Sequence, residues 1–242
     1  MTFPAPGGLS LAGTLHVAPD PAAPLLVFVH RFRGDRAEWA EVARRMAAAT
    51  PRYHVLTFDL RGHGDSKVLG GKRVVDWGSM KPAEIPAMVE DIHAAITYAR
   101  ARVDGRAERV VLVGSSLGAA LVARAASEEA RVVAVGLVSP GAAISGYDVY
   151  HPFAEVRMLP SFLAGSRDDN VSVEPLDALG RMGKEMATVR GYDGGGHGAF
   201  GLISAGTALV DDLSAWLEKQ FGAEPLPRAI QSRGNAAGGK KE

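Results

Sequence analysis

Arg109-Val110-Val111-Leu112-Val113-Gly114-Ser115-Ser116-Leu117-Gly118-Ala119-Ala120-Leu121-Val122-Ala123 is the stretch on which the reading of this chain turns. Its first part is an apolar, β-branched run, its last part is rich in helix-forming Ala and Leu, and small residues surround a serine between them. Gly114-Ser115-Ser116-Leu117-Gly118 matches G-x-S-x-G, a pattern that carries little weight alone in a chain with 29 glycines. The apolar strand before it and the helix after it supply the context that makes it informative. A serine held in so tight a strand-to-helix turn has a strained backbone, and the small Gly114 and Gly118 relieve crowding around it. The Ser116 hydroxyl then projects above the sheet. The Leu117 N–H and the positive end of the helix face the point where negative charge develops on an attacked carbonyl. Ser116 is therefore the candidate nucleophile. Ser115 is the rival hydroxyl, but at an x position it should point elsewhere, and the bland alternative is a helix-capping serine between packing glycines.

Outward from this stretch, short β-rich runs alternate with longer amphipathic ones. Leu25 to His30, Tyr53 to Leu60, Val132 to Ser139, Arg157 to Gly165 and Ala187 to Tyr192 read as strands, several of them apolar almost throughout. Continuous apolar strands suit a parallel sheet covered on both faces. Leu9 to Val17 alternates more and fits an antiparallel edge hairpin. Helical patterns lie at Arg36 to Ala49, Pro82 to Arg102, Leu117 to Ala126 and Thr207 to Phe221. In the second, Ile85, Met88, Val89, Ile92, Ala95, Ile96 and Tyr98 form an apolar stripe at steps of three and four. Strand–helix–strand repetition implies right-handed crossovers and a doubly wound, mostly parallel α/β sheet with helices on both faces.

The bulk numbers agree with one domain. The 242 residues suffice for a single α/β core, expected over residues 1–221, while 222–242 lose apolar periodicity and read as a flexible tail. Lys plus Arg and Asp plus Glu both number 27, which points to no nucleic-acid partner and suits a small, weakly polar substrate. The absence of cysteine excludes disulfides, thiolate catalysis and cysteine metal sites. No secretory signal or membrane-length apolar run is evident, so a cytoplasmic location without membrane association is the default expectation.

With the serine turn in hand, the chain resembles the α/β-hydrolases over about Leu9 to Phe221. Asp59-Leu60-Arg61-Gly62-His63-Gly64-Asp65-Ser66 is similar to the family's structural strand-end motif D-x-R-G-x-G-x-S. Val27-Phe28-Val29-His30-Arg31-Phe32-Arg33-Gly34 is similar to the segment that usually reads H-G-x, with Arg31 where glycine is usual. By that resemblance Phe32 N–H joins Leu117 N–H in an oxyanion hole. Ala164-Gly165-Ser166-Arg167-Asp168 resembles the family's strand followed by G-x-x-D, which selects Asp168 as the acid, with the adjacent Asp169 as the alternative. The family's order of nucleophile, acid and histidine leaves His197, in Gly194-Gly195-Gly196-His197-Gly198, as the base. His30 and His63 are expected to orient backbone. His16, His54, His93 and His151 are expected to be structural or surface residues.

The resemblance implies a Ser116–His197–Asp168 triad that needs no cofactor and no metal. His197 takes the serine proton, Asp168 holds the imidazole, and an acyl-enzyme forms and is released by water. Only Gly141 to Val156 separates the sixth strand from the strand bearing the acid, so no large cap domain is expected. A small-molecule carboxylic ester, or a thioester, is the expected substrate. A peptidase or amidase with the same triad and a catalytically silent binding protein are the alternatives. Trp77, Met80, Tyr147, Tyr150, His151 and Phe153 are candidates to wall the pocket, or equally to pack the loops.

Overall fold

The computed structural model describes residues 1–49, 52–71, 73–144 and 146–222. The tail expected over 222–242 thus lies, beyond Gly222, outside the described residues. Among the described residues twelve strands appear in chain order: β1 Thr2–Ala5, β2 Leu9–His16, β3 Leu25–Val29, β4 His54–Phe58, β5 Val68–Leu69, β6 Arg73–Val74, β7 Val110–Ser115, β8 Val132–Val138, β9 Ala143–Ile144, β10 Tyr147–Asp148, β11 Ser161–Ser166 and β12 Ala187–Tyr192. The helices are α1 Ala40–Ala49, α2 Met88–Ala101, α3 Leu117–Glu128, α4 Tyr150–Val156, α5 Val173–Gly183, α6 Ala199–Ser204 and α7 Leu209–Phe221.

The main sheet runs β12-β11-β8-β7-β3-β4-β2-β5-β6, with β1 paired to β2. From β12 to β4 the pairs are parallel, and β2 joins β4 antiparallel. The Leu9 to Val17 run is therefore antiparallel as expected and forms a hairpin with β1, but its first two residues, Leu9 and Ser10, also pair with β5, so that end is not an edge.

Successive residues of the apolar strands serve opposite faces, the period-two geometry of a sheet with two cores. In β3, Leu25, Val27 and Val29 join the cluster beneath α2 and α3, whereas Leu26 and Phe28 join the one beneath α1 and α7. The sheet is the wall between them. Only the small β9–β10 hairpin and α4 lie between β8 and β11 among the described residues, so no large cap covers the strand ends.

Three boundaries differ from the expectation for identifiable reasons. Residues 36–39 and 82–87 enter their helices as 3-10 turns, the second containing Pro86, which has no N–H for the ladder. The strand expected from Arg157 begins at Ser161, because α4 ends in a turn closed by Leu159 N–H to the Val156 carbonyl (2.8 Å) and Pro160 follows. Helix α5 was not anticipated, although Leu176 and Leu179 give it a buried face.

Candidate active site

The strand order reverses between β3 and β7, which are neighbours although their further neighbours lie on opposite sides. The carboxyl ends of two such strands are the usual ligand position in open α/β sheets. The Ser116 turn and the segment from His30 to Gly34 both start there.

Ser116 sits between β7 and α3 at φ 55° and ψ −115°, a left-handed conformation for a residue with a Cβ. Ser116 N–H donates to the Val138 carbonyl and the Ser116 carbonyl accepts from Ala119 N–H, both at 2.9 Å, so neighbouring elements hold the strained turn. The flanking glycines are required by close approach: a Cβ on Gly114 would lie 2.1 Å from the Gly118 carbonyl oxygen. Ser116 is 5% exposed, and its hydroxyl lies 2.7 Å from His197 Nε2.

His197 is carried on the loop after β12, where Gly194, Gly195, Gly196 and Gly198 all have positive φ. Only glycine enters that region without strain, so the run bends the chain back over the sheet edge. The other ring nitrogen, Nδ1, donates to Asp169 Oδ2 at 2.7 Å, which fixes the tautomer and leaves Nε2 as the acceptor facing Ser116.

The carboxylate at the histidine is thus Asp169, and the selection of Asp168 is corrected. Strand β11 ends at Ser166, and the exposed Asp168 turns outward, accepting from Ser166 Oγ and from Gly196 N–H (3.2 Å). Asp169 is 5% exposed and starts the turn into α5, its carbonyl accepting from Ser172 N–H (2.9 Å) and Val173 N–H (3.1 Å). That turn directs its carboxylate inward, where Val171 N–H (3.2 Å) and Ser172 Oγ (2.5 Å) also donate to it. The pattern's spacing places the acid only to within the position of the strand end.

Leu117 N–H, at the start of α3, and Phe32 N–H, past β3, form no hydrogen bond among the described residues. Arg31, in the place of the usual glycine, does not have positive φ; Arg33 does, at 64°. Position 31 therefore makes no demand for glycine. The Arg31 side chain instead pairs with Glu38 (3.2 Å) and lies over the Phe200 ring.

Other candidates fall into supporting places. Asp59 is fully buried and accepts from Arg36 N–H (2.6 Å), Asp65 N–H (2.9 Å) and the Arg36 guanidinium. Ser66 Oγ donates to the Asp59 carbonyl (2.7 Å) and accepts from Ala12 N–H (2.8 Å), so the strand-end motif is a structural knot. His30 donates from Nδ1 to the Arg31 carbonyl (2.7 Å) and accepts Leu60 N–H at Nε2 (3.0 Å). Burial lowers its pKa to about 4, as it does that of His63, which packs against Phe32 and Trp77. Phe153 is wholly buried core, Tyr150 donates to Glu174, and His151 is exposed beside Glu155. Sequence reasoning missed Glu38 and Ser172: an acidic residue in a helical pattern and a serine in a turn carry no mark of burial beside a site.

The family model for the serine aminopeptidase S33 group of hydrolases matches residues 20–175, well over half of the chain. The chain is an α/β-hydrolase of this family. The fold of this hydrolase is shared with a putative α/β-hydrolase from Agrobacterium tumefaciens at 17% identity, TM-score 0.72, over 94% of this chain and 99% of that one. It is shared with a thermophilic esterase from Thermogutta terrifontis at 16% identity, TM-score 0.66, over 90% and 98%. An enol-lactonase from Burkholderia xenovorans is similar at 15% identity, TM-score 0.68, over 90% and 99%. In sequence, a 2-succinyl-6-hydroxy-2,4-cyclohexadiene-1-carboxylate synthase from Enterobacter sp. (strain 638) is 47% identical over 49 residues, 20% of this chain and 17% of that one. No helix among the described residues is long and apolar enough to cross a membrane.

Proposed function

We propose that this α/β-hydrolase cleaves small carboxylic esters, thioesters included, through an acyl-enzyme on Ser116, with His197 as general base and Asp169 as the acid that orients it. The observation that carries this reading is the continuous relay from Asp169 Oδ2 to His197 Nδ1 and from Nε2 to Ser116 Oγ, both links 2.7 Å, at the switch point of the sheet.

A serine hydroxyl is hardly ionised near neutral pH, so attack needs a base that removes its proton as the bond to the carbonyl carbon forms. His197 Nε2 is at hydrogen-bond distance to do so, and the buried Asp169 carboxylate stabilises the imidazolium that results. The tetrahedral oxyanion takes the N–H groups of Leu117 and Phe32; loss of one such donor typically costs about 3 kcal/mol of transition-state stabilisation. Collapse expels the alcohol, which takes the proton from His197. Water, deprotonated by the same imidazole, then attacks the acyl carbonyl, and the acid leaves as Ser116 regains its proton.

Esterase and lactonase activities among proteins of the same fold support an ester rather than an amide. The name of the matched family favours a second reading, release of N-terminal amino acids by the same relay. Fluorophosphonate labelling, with turnover of short-chain p-nitrophenyl esters, thioesters and aminoacyl p-nitroanilides, separates these. The expected result is labelling and ester turnover in the wild type, lost in Ser116→Ala and His197→Ala. Anilide turnover exceeding ester turnover assigns the second reading, and unchanged ester turnover in Ser116→Ala refutes both.

A further inference from the structure

Glu38 lies in the 3-10 turn before α1 and its side chain is only 2% exposed. A buried carboxylate is costly unless it is paired and fully hydrogen-bonded, and an apolar residue of its size would pack there at less cost. Its partners come from three separate segments. Oε2 accepts Arg31 N–H at 2.7 Å, while Oε1 accepts Arg31 Nη1 at 3.2 Å, Ser115 Oγ at 2.9 Å and Phe200 N–H at 3.2 Å. Ser115 Oγ in turn accepts Ala199 N–H at 3.0 Å. The turn bearing Glu38 is itself anchored: Asp35 caps it through Ala37 N–H (2.8 Å), and Trp39 Nε1 donates to the Val29 carbonyl (3.0 Å).

Each of those segments carries one part of the proposed chemistry. Arg31 precedes Phe32, Ser115 precedes Ser116, and Ala199 and Phe200 follow His197. We propose that Glu38, acting with Ser115, is a positioning residue that sets the oxyanion segment, the nucleophile turn and the histidine loop relative to one another. This rests on Ser116 being the nucleophile. The Glu38 carboxylate touches none of the reacting groups; it holds the backbone N–H of Arg31 and of Phe200 and the side-chain hydroxyl of Ser115, each beside one of them. Misplacement of reacting groups by about 1 Å costs on the order of 10²-fold in rate, so a shared anchor acts on kcat more than on substrate affinity. The Ser115 hydroxyl is the relay between Glu38 and the histidine loop, donating to one and accepting from the other.

The test compares wild type, Glu38→Gln, Ser115→Ala, the double variant, and Ile96→Val, which trims the core on the opposite side of the sheet from Glu38's turn. Gln keeps the shape but replaces one acceptor oxygen with a donor, so either Arg31 N–H or the Ser115 and Phe200 donors lose their partner. Thermal unfolding, fluorophosphonate labelling rate, and kcat and KM on a short-chain p-nitrophenyl ester are measured for each. Glu38→Gln is expected to lower kcat and labelling by roughly 30- to 100-fold with KM within about threefold, and Ser115→Ala by about tenfold. The double variant should be scarcely slower than Glu38→Gln, because both changes break one network. Ile96→Val should lower the unfolding temperature and leave kcat unchanged. Wild-type kcat and labelling in Glu38→Gln, or independent multiplication of the two effects, overturns the proposal. If Glu38→Gln does not fold, wild-type kcat in Ser115→Ala overturns it alone. A wild type that neither labels nor turns over ester removes the serine-nucleophile reading first, and the proposal falls with it.

Discussion

Ser116 holds a left-handed backbone that costs about 1–3 kcal/mol, and the surrounding hydrogen bonds and glycine contacts maintain it. The neighbouring aspartates divide their work just as sharply: Asp169 is buried on the imidazole, and Asp168 is exposed, tying the acid turn to Gly196. Asp169→Asn should therefore lower kcat by about 10³- to 10⁴-fold, by favouring the wrong tautomer, whereas Asp168→Asn should stay within about tenfold of wild type. Steady-state kinetics on one ester distinguishes them. The meeting of Ser116 with His197 was legible in the sequence because a turn pattern and a glycine run accompany them. The choice between residues 168 and 169 was not, since it depends on where β11 stops and which way a turn faces.

Two buried histidines make a prediction about pH. His30 and His63 have pKa values lowered by burial from 6.5 to about 4, so both are neutral in the fold. Above pH 6.5 neither state binds the proton and the full stability is present. As pH falls below 6.5 the unfolded chain takes up protons that the folded chain accepts only near pH 4, so stability declines across that interval. Each histidine accounts for about 2 kcal/mol between pH 7 and pH 5. Urea midpoints at those two pH values should differ less in His63→Phe than in wild type; an equal difference in both contradicts the assignment.

At the scale of elements, α3 presses onto β3 at Gly118, where a Cβ would lie 2.6 Å from the Val29 carbonyl oxygen and 2.7 Å from that of His30. Both are backbone atoms that cannot step aside, so Gly118→Ala must lift the helix. A loss of about 1–3 kcal/mol by urea unfolding is expected, together with slower labelling of Ser116. Helix α2 shows what periodicity conveys and what it leaves out. Met88, Val89, Ile92, Ala95 and Ile96 are buried at the steps read from the sequence, whereas Tyr98 is only half-buried, Ala99 and Asp91 are buried as well, and the 3-10 entry around Pro86 follows from local sterics. Strand β11 shifted by four residues at its start for a similar reason, since the turn after α4 consumes Arg157 to Pro160.

Over the whole molecule, one ion pair ties the strand ends to the helical layer. Arg61, after β4, forms contacts of 2.7–3.0 Å with Asp91 on α2, and the Asp91 side chain is fully buried. Removing one partner strands a charge, so Arg61→Met should destabilise by about 3–5 kcal/mol, and Arg61→Met with Asp91→Leu should recover much of the loss. Calorimetry of the two variants tests this. The parallel sheet with two cores was legible from apolar strands alternating with amphipathic helices. The covering of β2 by β5 was not, because a two-residue strand has no periodicity to read.

The proposed chemistry stands or falls with a covalent intermediate on Ser116. Intact-mass spectrometry with peptide mapping, after brief reaction with a slowly deacylated ester and acid quenching, reads it directly. One acyl adduct per chain is expected on the peptide containing Ser116, absent in Ser116→Ala and accumulating far more slowly in Asp169→Asn. An adduct on another residue, or ester turnover that persists in Ser116→Ala, would contradict the proposed chemistry.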